Sequence, residues 1–175
     1  SPAFTSNSKL DFQDGYHLNR DGNHVKNAAN QLLSAFIDPI VKDEKKKIDK
    51  KVDSKDKAAI KEIIINTARK NGIDPDFAVA IATIESGLNP RSNEVAPRPN
   101  SKYKGLFQLS INPGGDFVTK YKLDVDKVYD PVENTRVFAI STRNNLKALR
   151  RAGILKSPLN KIDPQEAGIL YLAHQ

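Results

Sequence analysis

The sequence predicts a mainly α-helical chain, and three observations carry that expectation. Aspartate-proline pairs recur at Asp74-Pro75, Asp130-Pro131 and Asp163-Pro164. Each sets a capping carboxylate before a proline at the first helical position, where the missing N–H costs nothing. Gly72, Gly87 and Gly153 stand where helices should stop, because glycine enters left-handed backbone cheaply. Between these signals apolar residues recur at helical spacing, and nothing alternates long enough to make an extended strand.

Taken in order, the first expected helix covers roughly 23–36, where Val25, Ala28, Ala29, Leu32 and Phe36 fall on one face. The composition then changes abruptly in "VKDEKKKIDKKVDSKDK" (Val41 to Lys57). Its interleaved lysines and acids read as a solvated helical linker, and it lacks the aromatics a base-stacking surface needs. A boundary placed there gives an N-terminal segment at 1–40, a charged linker at 41–56 and a main domain at 57–175. Helices are expected near 56–71, 75–86, 131–152 and 164–174, with a shorter one near 113–122. Glu133 and Glu166 follow their Asp caps by three residues, an acidic variant of the capping box. "RSNEVAPRPNSKYKG" (Arg91 to Gly105) is rich in turn formers and reads as loop or as a short β-ribbon near 91–108.

Composition narrows the function classes. At 175 residues the chain can bury one sizeable core with some length to spare. It has no cysteine, which excludes disulfides and thiol chemistry. No apolar run approaches the ~18 residues of a membrane helix. "SPAFTSNSKLDFQDG" lacks the basic start and apolar core of a signal peptide. The formal charge of +7 favours a polyanionic partner: nucleic acid, anionic lipid or an acidic wall polymer.

The candidate site begins with a misplaced charge. In "FAVAIATIESGLNP" (Phe77 to Pro90), Ala78, Ile81, Ala82 and Glu85 share a helix face, and the other side is equally apolar. A carboxylate on a buried helix needs a partner or a reason. Desolvation favours the protonated form, which suits a general acid in glycoside cleavage. The alternative is an ion pair from the last helical turn to Arg91 or Arg98.

The residues that follow carry a resemblance. "ESGLNP" (Glu85 to Pro90) with "GLFQLS" (Gly105 to Ser110) resembles the soluble lytic transglycosylases of the lysozyme-like superfamily. "DPVENTRVFAISTRNNLKAL" (Asp130 to Leu149) resembles that family's Asp-Pro-x-x-Asn helix. "LYLAHQ" (Leu170 to Gln175) resembles its Ala-Tyr-Asn-Gly segment, with His174 where tyrosine is usual. The His-Gln form is similar to phage-associated members. The resemblance covers the chain from about Lys57 onward and implies a lysozyme-like, goose-type helical domain.

It also implies a chemistry. Most glycosidases use two carboxylates, and the second candidates here, Glu94 and Asp116, sit in loop-like sequence off the motifs. The family resembles the substrate-assisted exceptions, so Glu85 would act alone as acid and then base on peptidoglycan, with no cofactor or metal. The carried-over substrate contacts are Ser86, Gly105, Gln108, His174 and Gln175, with Phe107 and Tyr171 as further candidates. Bland readings stay open beside them. Ser86 is also a helix-terminal hydroxyl, Gln108 also a loop-backbone partner, and Phe107 and Tyr171 are also core residues. Gly105 lets the chain pass close to sugar or to the Glu85 helix, and Asn134 reads as structural. Rival functions are a hydrolysing muramidase and a non-catalytic glycan-binding or tail module.

Near the N-terminus, "DGYHLNRDGNHVKNAA" (Asp14 to Ala29) resembles the last block of SGNH esterases, with Asp14 and His17 as acid and base. Without the upstream serine such a pair has no acyl-transfer route, and an Asp-Gly turn before a helix explains it as well. If the match holds, the chain is a piece of a larger wall-degrading protein. His17, His24 and His174 lack metal-ligand spacing, and "NPGG" (Asn112 to Gly115) lacks the lysine of a phosphate loop. The lytic transglycosylase resemblance implies peptidoglycan strands as the partner, with other phage tail proteins beside them. The expected setting is a phage virion or the bacterial envelope.

Overall fold

The computed structural model describes residues 54–175. The expected helix at 23–36, Asp14, His17, His24 and most of the charged linker lie outside the described residues. Four longer helices follow: α1 (Ser54–Lys70), α2 (Pro75–Ser86), and later α4 (Pro131–Arg151) and α5 (Pro164–His174). Between α2 and α4 lie a two-stranded ribbon, β1 (Tyr103–Lys104) and β2 (Leu109–Ser110), a short α3 (Asp116–Thr119) and a 3-10 turn at Val125–Lys127. No helix among the described residues is long and apolar enough to cross a membrane.

The aspartate caps form as the sequence predicts. Asp74, Asp130 and Asp163 accept from the amides of Asp76, Val132 and Gln165, each at 2.8–2.9 Å. The second oxygen of Asp74 accepts from the amide of Ile162 at 2.7 Å, which ties the start of α2 to the segment before α5. The capping boxes do not form. The amides of Asp130 and Asp163 already donate to the Lys127 carbonyl and to Ser157 Oγ. Glu133 is therefore released to accept from the Asp124 amide and to pair with Arg136. Glu166 instead accepts from the amides of Lys156 and Ser157. Both acids staple the loop that precedes their helix rather than the helix itself.

α2 is the central helix because it is apolar all round. Phe77, Ala78, Ala80, Ile81 and Ala82 are buried, and Val79 and Ile84 pack against the same core. α1 packs on α2 and α4, and α5 packs on α4. The core is completed by Ile64, Ala68, Phe107, Phe138, Leu146 and Leu170. Phe138 stacks on Phe107 at 3.9 Å between ring centroids, with Phe77 at 6.3 Å. α2 ends at Gly87, in left-handed backbone with φ +63°, whose amide bonds back to Thr83 and Ala82 carbonyls.

Two expectations are corrected. The helix expected near 113–122 shrinks to Asp116–Thr119. A turn closed by the Gly115 amide on the Asn112 carbonyl holds the residues before it, and Lys122 at φ +59° stops continuation. The ribbon, expected near 91–108, is confined to Tyr103–Lys104 paired antiparallel with Leu109–Ser110. The four residues Gly105 to Gln108 make its turn, and 91–102 is a stack of turns and bends.

Candidate active site

The ribbon turn is fixed from below by one buried amide. Asn134 on α4 accepts from the Phe107 amide at 2.9 Å and donates to the Val128 and Lys104 carbonyls at 2.8 and 3.3 Å. Gly105 lies directly over it with φ +78°. A Cβ there would meet Asn134 Nδ2 at 2.4 Å and the Val128 carbonyl at 2.7 Å. The glycine is thus required by the close approach to Asn134 and the Val128 carbonyl.

Above this turn opens a cleft of about 430 Å³. α2 gives it Glu85, the turn-rich segment gives Asn93, Arg98 and Lys102, and the ribbon gives Tyr103, Gln108 and Ser110. Asp116, Phe117 and Tyr121 come from α3 and beyond, Ser141 and Asn145 from α4, and Ala173, His174 and Gln175 from the end of α5. Hydroxyls, amides and aromatic rings in this mixture suit a polyhydroxylated ligand.

Glu85 is held, not free. Tyr171 Oη and Gln175 Nε2 both donate to its Oε1, each at 2.7 Å. Among the described residues no group bonds Oε2, which leaves one carboxyl oxygen for a ligand. Neither expected ion pair forms: Arg91 forks onto Glu94 instead, and Arg98 pairs with no acid among the described residues. The pairing with Arg91 holds the Glu94 carboxyl below the usual range, and Glu94 is not among the residues that line the cleft. Asp116 does line the cleft.

Gln108 is pre-set by its neighbours. Its Oε1 accepts from Asn93 Nδ2 at 2.8 Å and its Nε2 donates to the Gly105 carbonyl at 2.9 Å. Both Gln108 and Asn93 adopt left-handed backbone, φ +51° and +66°, a strained state that persists where surroundings enforce it. The amide keeps a second N–H to offer the cleft.

The model for the transglycosylase SLT domain matches residues 62–152, just over half of the chain.

The chain belongs to this family.

Membership places it in the lysozyme-like superfamily and in the lytic transglycosylase class acting on peptidoglycan. Comparison with curated proteins and with solved structures gives no match. The SLT match spans Glu85, the Gly-Leu-Phe-Gln turn and Asn134, while α5 lies beyond it.

Within this SLT domain the structure separates the expected site residues. Glu85, Gln108, His174 and Gln175 meet in the cleft. Phe107 does not reach it: the ring is fully buried on Phe138, and its carbonyl accepts from His174 Nε2 at 3.1 Å. Ser86 is not among the lining residues and its hydroxyl donates to the Ala82 carbonyl at 3.0 Å. Tyr171 is 5% exposed, so it offers no sugar platform and serves through its hydroxyl on Glu85. His174 packs edge-on against Phe138, with the ring centroids 5.0 Å apart.

Sequence reasoning missed Asn93, Ser141 and Asn145. Ser141 and Asn145 follow Phe138 by three and seven residues, so they extend the inward stripe of α4 as polar groups. That interruption of an apolar stripe was the available signal. Asn93 carried none beyond its tolerance of left-handed backbone.

Tyr171 provides a test of the clamp. Burial, and then the neighbouring Glu85 charge, pushes the phenol far above its ordinary value of about 10. The hydroxyl therefore stays a donor at any working pH. Because the folded value is the higher one, the stabilisation is complete below pH ~10 and declines as pH rises above it. Chemical denaturation should show wild type losing more stability than Tyr171→Phe between about pH 9 and pH 11. Near neutrality Tyr171→Phe is expected to lower turnover about tenfold with an unchanged fold, since Glu85 keeps one of two positioning bonds.

Proposed function

We propose that the chain cleaves the β-1,4 bond between N-acetylmuramic acid and N-acetylglucosamine and closes a 1,6-anhydro ring on the muramoyl product. The supporting observation is a lone glutamate, Glu85, clamped at one oxygen by Tyr171 and Gln175 in a polar cleft, on a chain of the SLT family. Glu85 gives its proton to the glycosidic oxygen, and the N-acetylglucosamine leaves with that hydroxyl. The muramoyl acetamido oxygen stabilises the cation developing at C1. The Glu85 carboxylate then takes the proton of the 6-hydroxyl as O6 bonds to C1, so no water is consumed and the residue is restored. Gln108, with its amide pre-set by Asn93 and Gly105, positions acetamido or hydroxyl groups of the sugar.

A second reading has one observation in its favour: Asp116 lines the same cleft as Glu85. A carboxylate there that holds a water makes the enzyme a hydrolysing muramidase. Mass analysis of fragments released from purified sacculi separates the two. Muropeptides one water lighter than hydrolysis products support the ring closure. Products ending in reducing muramic acid would establish the muramidase and direct attention to Asp116. We place the action at the bacterial cell envelope, reached in a phage virion or from the periplasm. The His174-Gln175 ending is what favours the virion.

A further inference from the structure

Among the described residues, the lysine and arginine that line the cleft come from one stretch, Arg98 and Lys102, on the segment that leads into β1. Both are exposed. The ion pairs among the described residues join Arg91 to Glu94 and Arg136 to Glu133, so neither cleft cation has an acid partner there. Among the described residues, the carboxylates that line the cleft, Glu85 and Asp116, sit on α2 and α3 and not on this segment. Lys102 Nζ lies 5.3 Å from the Tyr103 ring centroid, a cation–π contact that steadies the ammonium on the cleft wall without neutralising its charge.

The backbone that carries these side chains is fixed by its own bonds. The Arg98 amide donates to Asn93 Oδ1 at 3.1 Å, and the Ser101 amide to the Arg98 carbonyl at 3.0 Å. Beneath them Lys104 is buried and donates to the Asn93 and Pro99 carbonyls, each at 2.6 Å. One lysine thus fastens the loop, while the other two cations are left facing solvent on a cleft wall. Positive charge displayed this way, with no acid partner among the described residues, fits a ligand that brings its own anion. Arginine offers a planar fork matched to a carboxylate, and lysine a mobile point charge.

We infer that Arg98 and Lys102 form a subsite for carboxylates carried by the substituents of the glycan strand, so that the cleft prefers anionic to neutral strands. The inference rests on the reading of the cleft as a glycan site. Two sources share this chemistry: carboxylates of the stem peptide, and the lactyl carboxylate freed when that peptide is removed.

The test reads binding by calorimetry in the Glu85→Gln full chain, so that turnover does not intervene. Its probes are soluble stem-bearing strands, the same strands stripped of peptide by an amidase, and both preparations with every carboxylate amidated. At low ionic strength Arg98→Gln/Lys102→Gln is expected to raise Kd about three- to tenfold on anionic strands, the range open to two exposed charge contacts. The penalty should vanish on amidated strands and fade near 0.5 M salt, about where the Debye length falls to a few ångströms. The swapped Arg98→Lys/Lys102→Arg protein should keep most of the affinity, because both charges remain. A penalty limited to stem-bearing strands assigns the stem carboxylates, and one that persists on stripped strands assigns the lactyl group. Equal Kd for parent and double variant on anionic strands at low salt would overturn the subsite while leaving glycan cleavage by wild type intact. Failure of the parent protein to bind any strand would overturn both readings.

Discussion

Glu85→Gln protein incubated with purified sacculi is expected to release no soluble muropeptides, a loss of at least about 10³-fold in turnover. The substitution keeps side-chain volume and keeps an oxygen at Oε1 for the donors Tyr171 Oη and Gln175 Nε2. The clamp therefore survives and the fold with it. What disappears is a group that can give a proton and take one back, and in the one-glutamate mechanism no other side chain replaces it. Affinity for glycan strands should stay within about threefold of wild type, since the lost interaction belongs to the transition state. A variant that retains a tenth of the wild-type rate would sink the assignment of Glu85. If the wild-type products prove to be hydrolytic, Asp116→Asn should abolish them as well.

Gly105→Ala carries the largest expected effect on stability, about 3–5 kcal/mol, combining left-handed strain with orphaned buried groups. The methyl would enter at 2.4 Å from Asn134 Nδ2 and 2.7 Å from the Val128 carbonyl, and neither can yield freely. Asn134 is fully buried and committed to three bonds, while Val128 contributes backbone. Displacing the amide strips the Phe107 amide and the Val128 carbonyl of their partner. The ribbon turn above it carries Gln108, so surviving folded protein should also bind glycan more weakly. Urea denaturation followed by circular dichroism reads the first effect. An Ala variant within about 1 kcal/mol of wild type would show that the turn does not depend on this approach.

These two residues mark how far local sequence reaches. Asp74, Asp130 and Asp163 capped their helices as expected, because a cap is decided within three residues of chain. The glycine stops and the all-round apolar α2 were legible for the same reason. Glu85 stood out because a carboxylate on such a helix conflicts with its neighbours, a conflict visible without coordinates. Glu133 and Glu166 misled, since whether an N3 acid reaches back to its cap depends on what already holds the cap amide. Lys127 and Ser157 hold it here, and both belong to the preceding loops.

What sequence could not supply was pairing across distance. Tyr171 and Gln175 lie 86 and 90 residues from Glu85, and Asn93 lies 15 from Gln108. No local period records such contacts. Phe107 and Gln108 are adjacent in sequence, yet one is sealed in the core on Phe138 and the other lines the cleft. The sequence by itself determined the four longer described helices, the aspartate caps of three of them and the one anomalous acid, all of which are settled by short-range geometry and burial pattern. Only the tertiary structure decided which oxygen of that acid is held, which glycine approaches which amide, and which cations face the cleft. Those are consequences of α2, the ribbon turn and the end of α5 packing around one space, and the free energy of that packing belongs to no single segment.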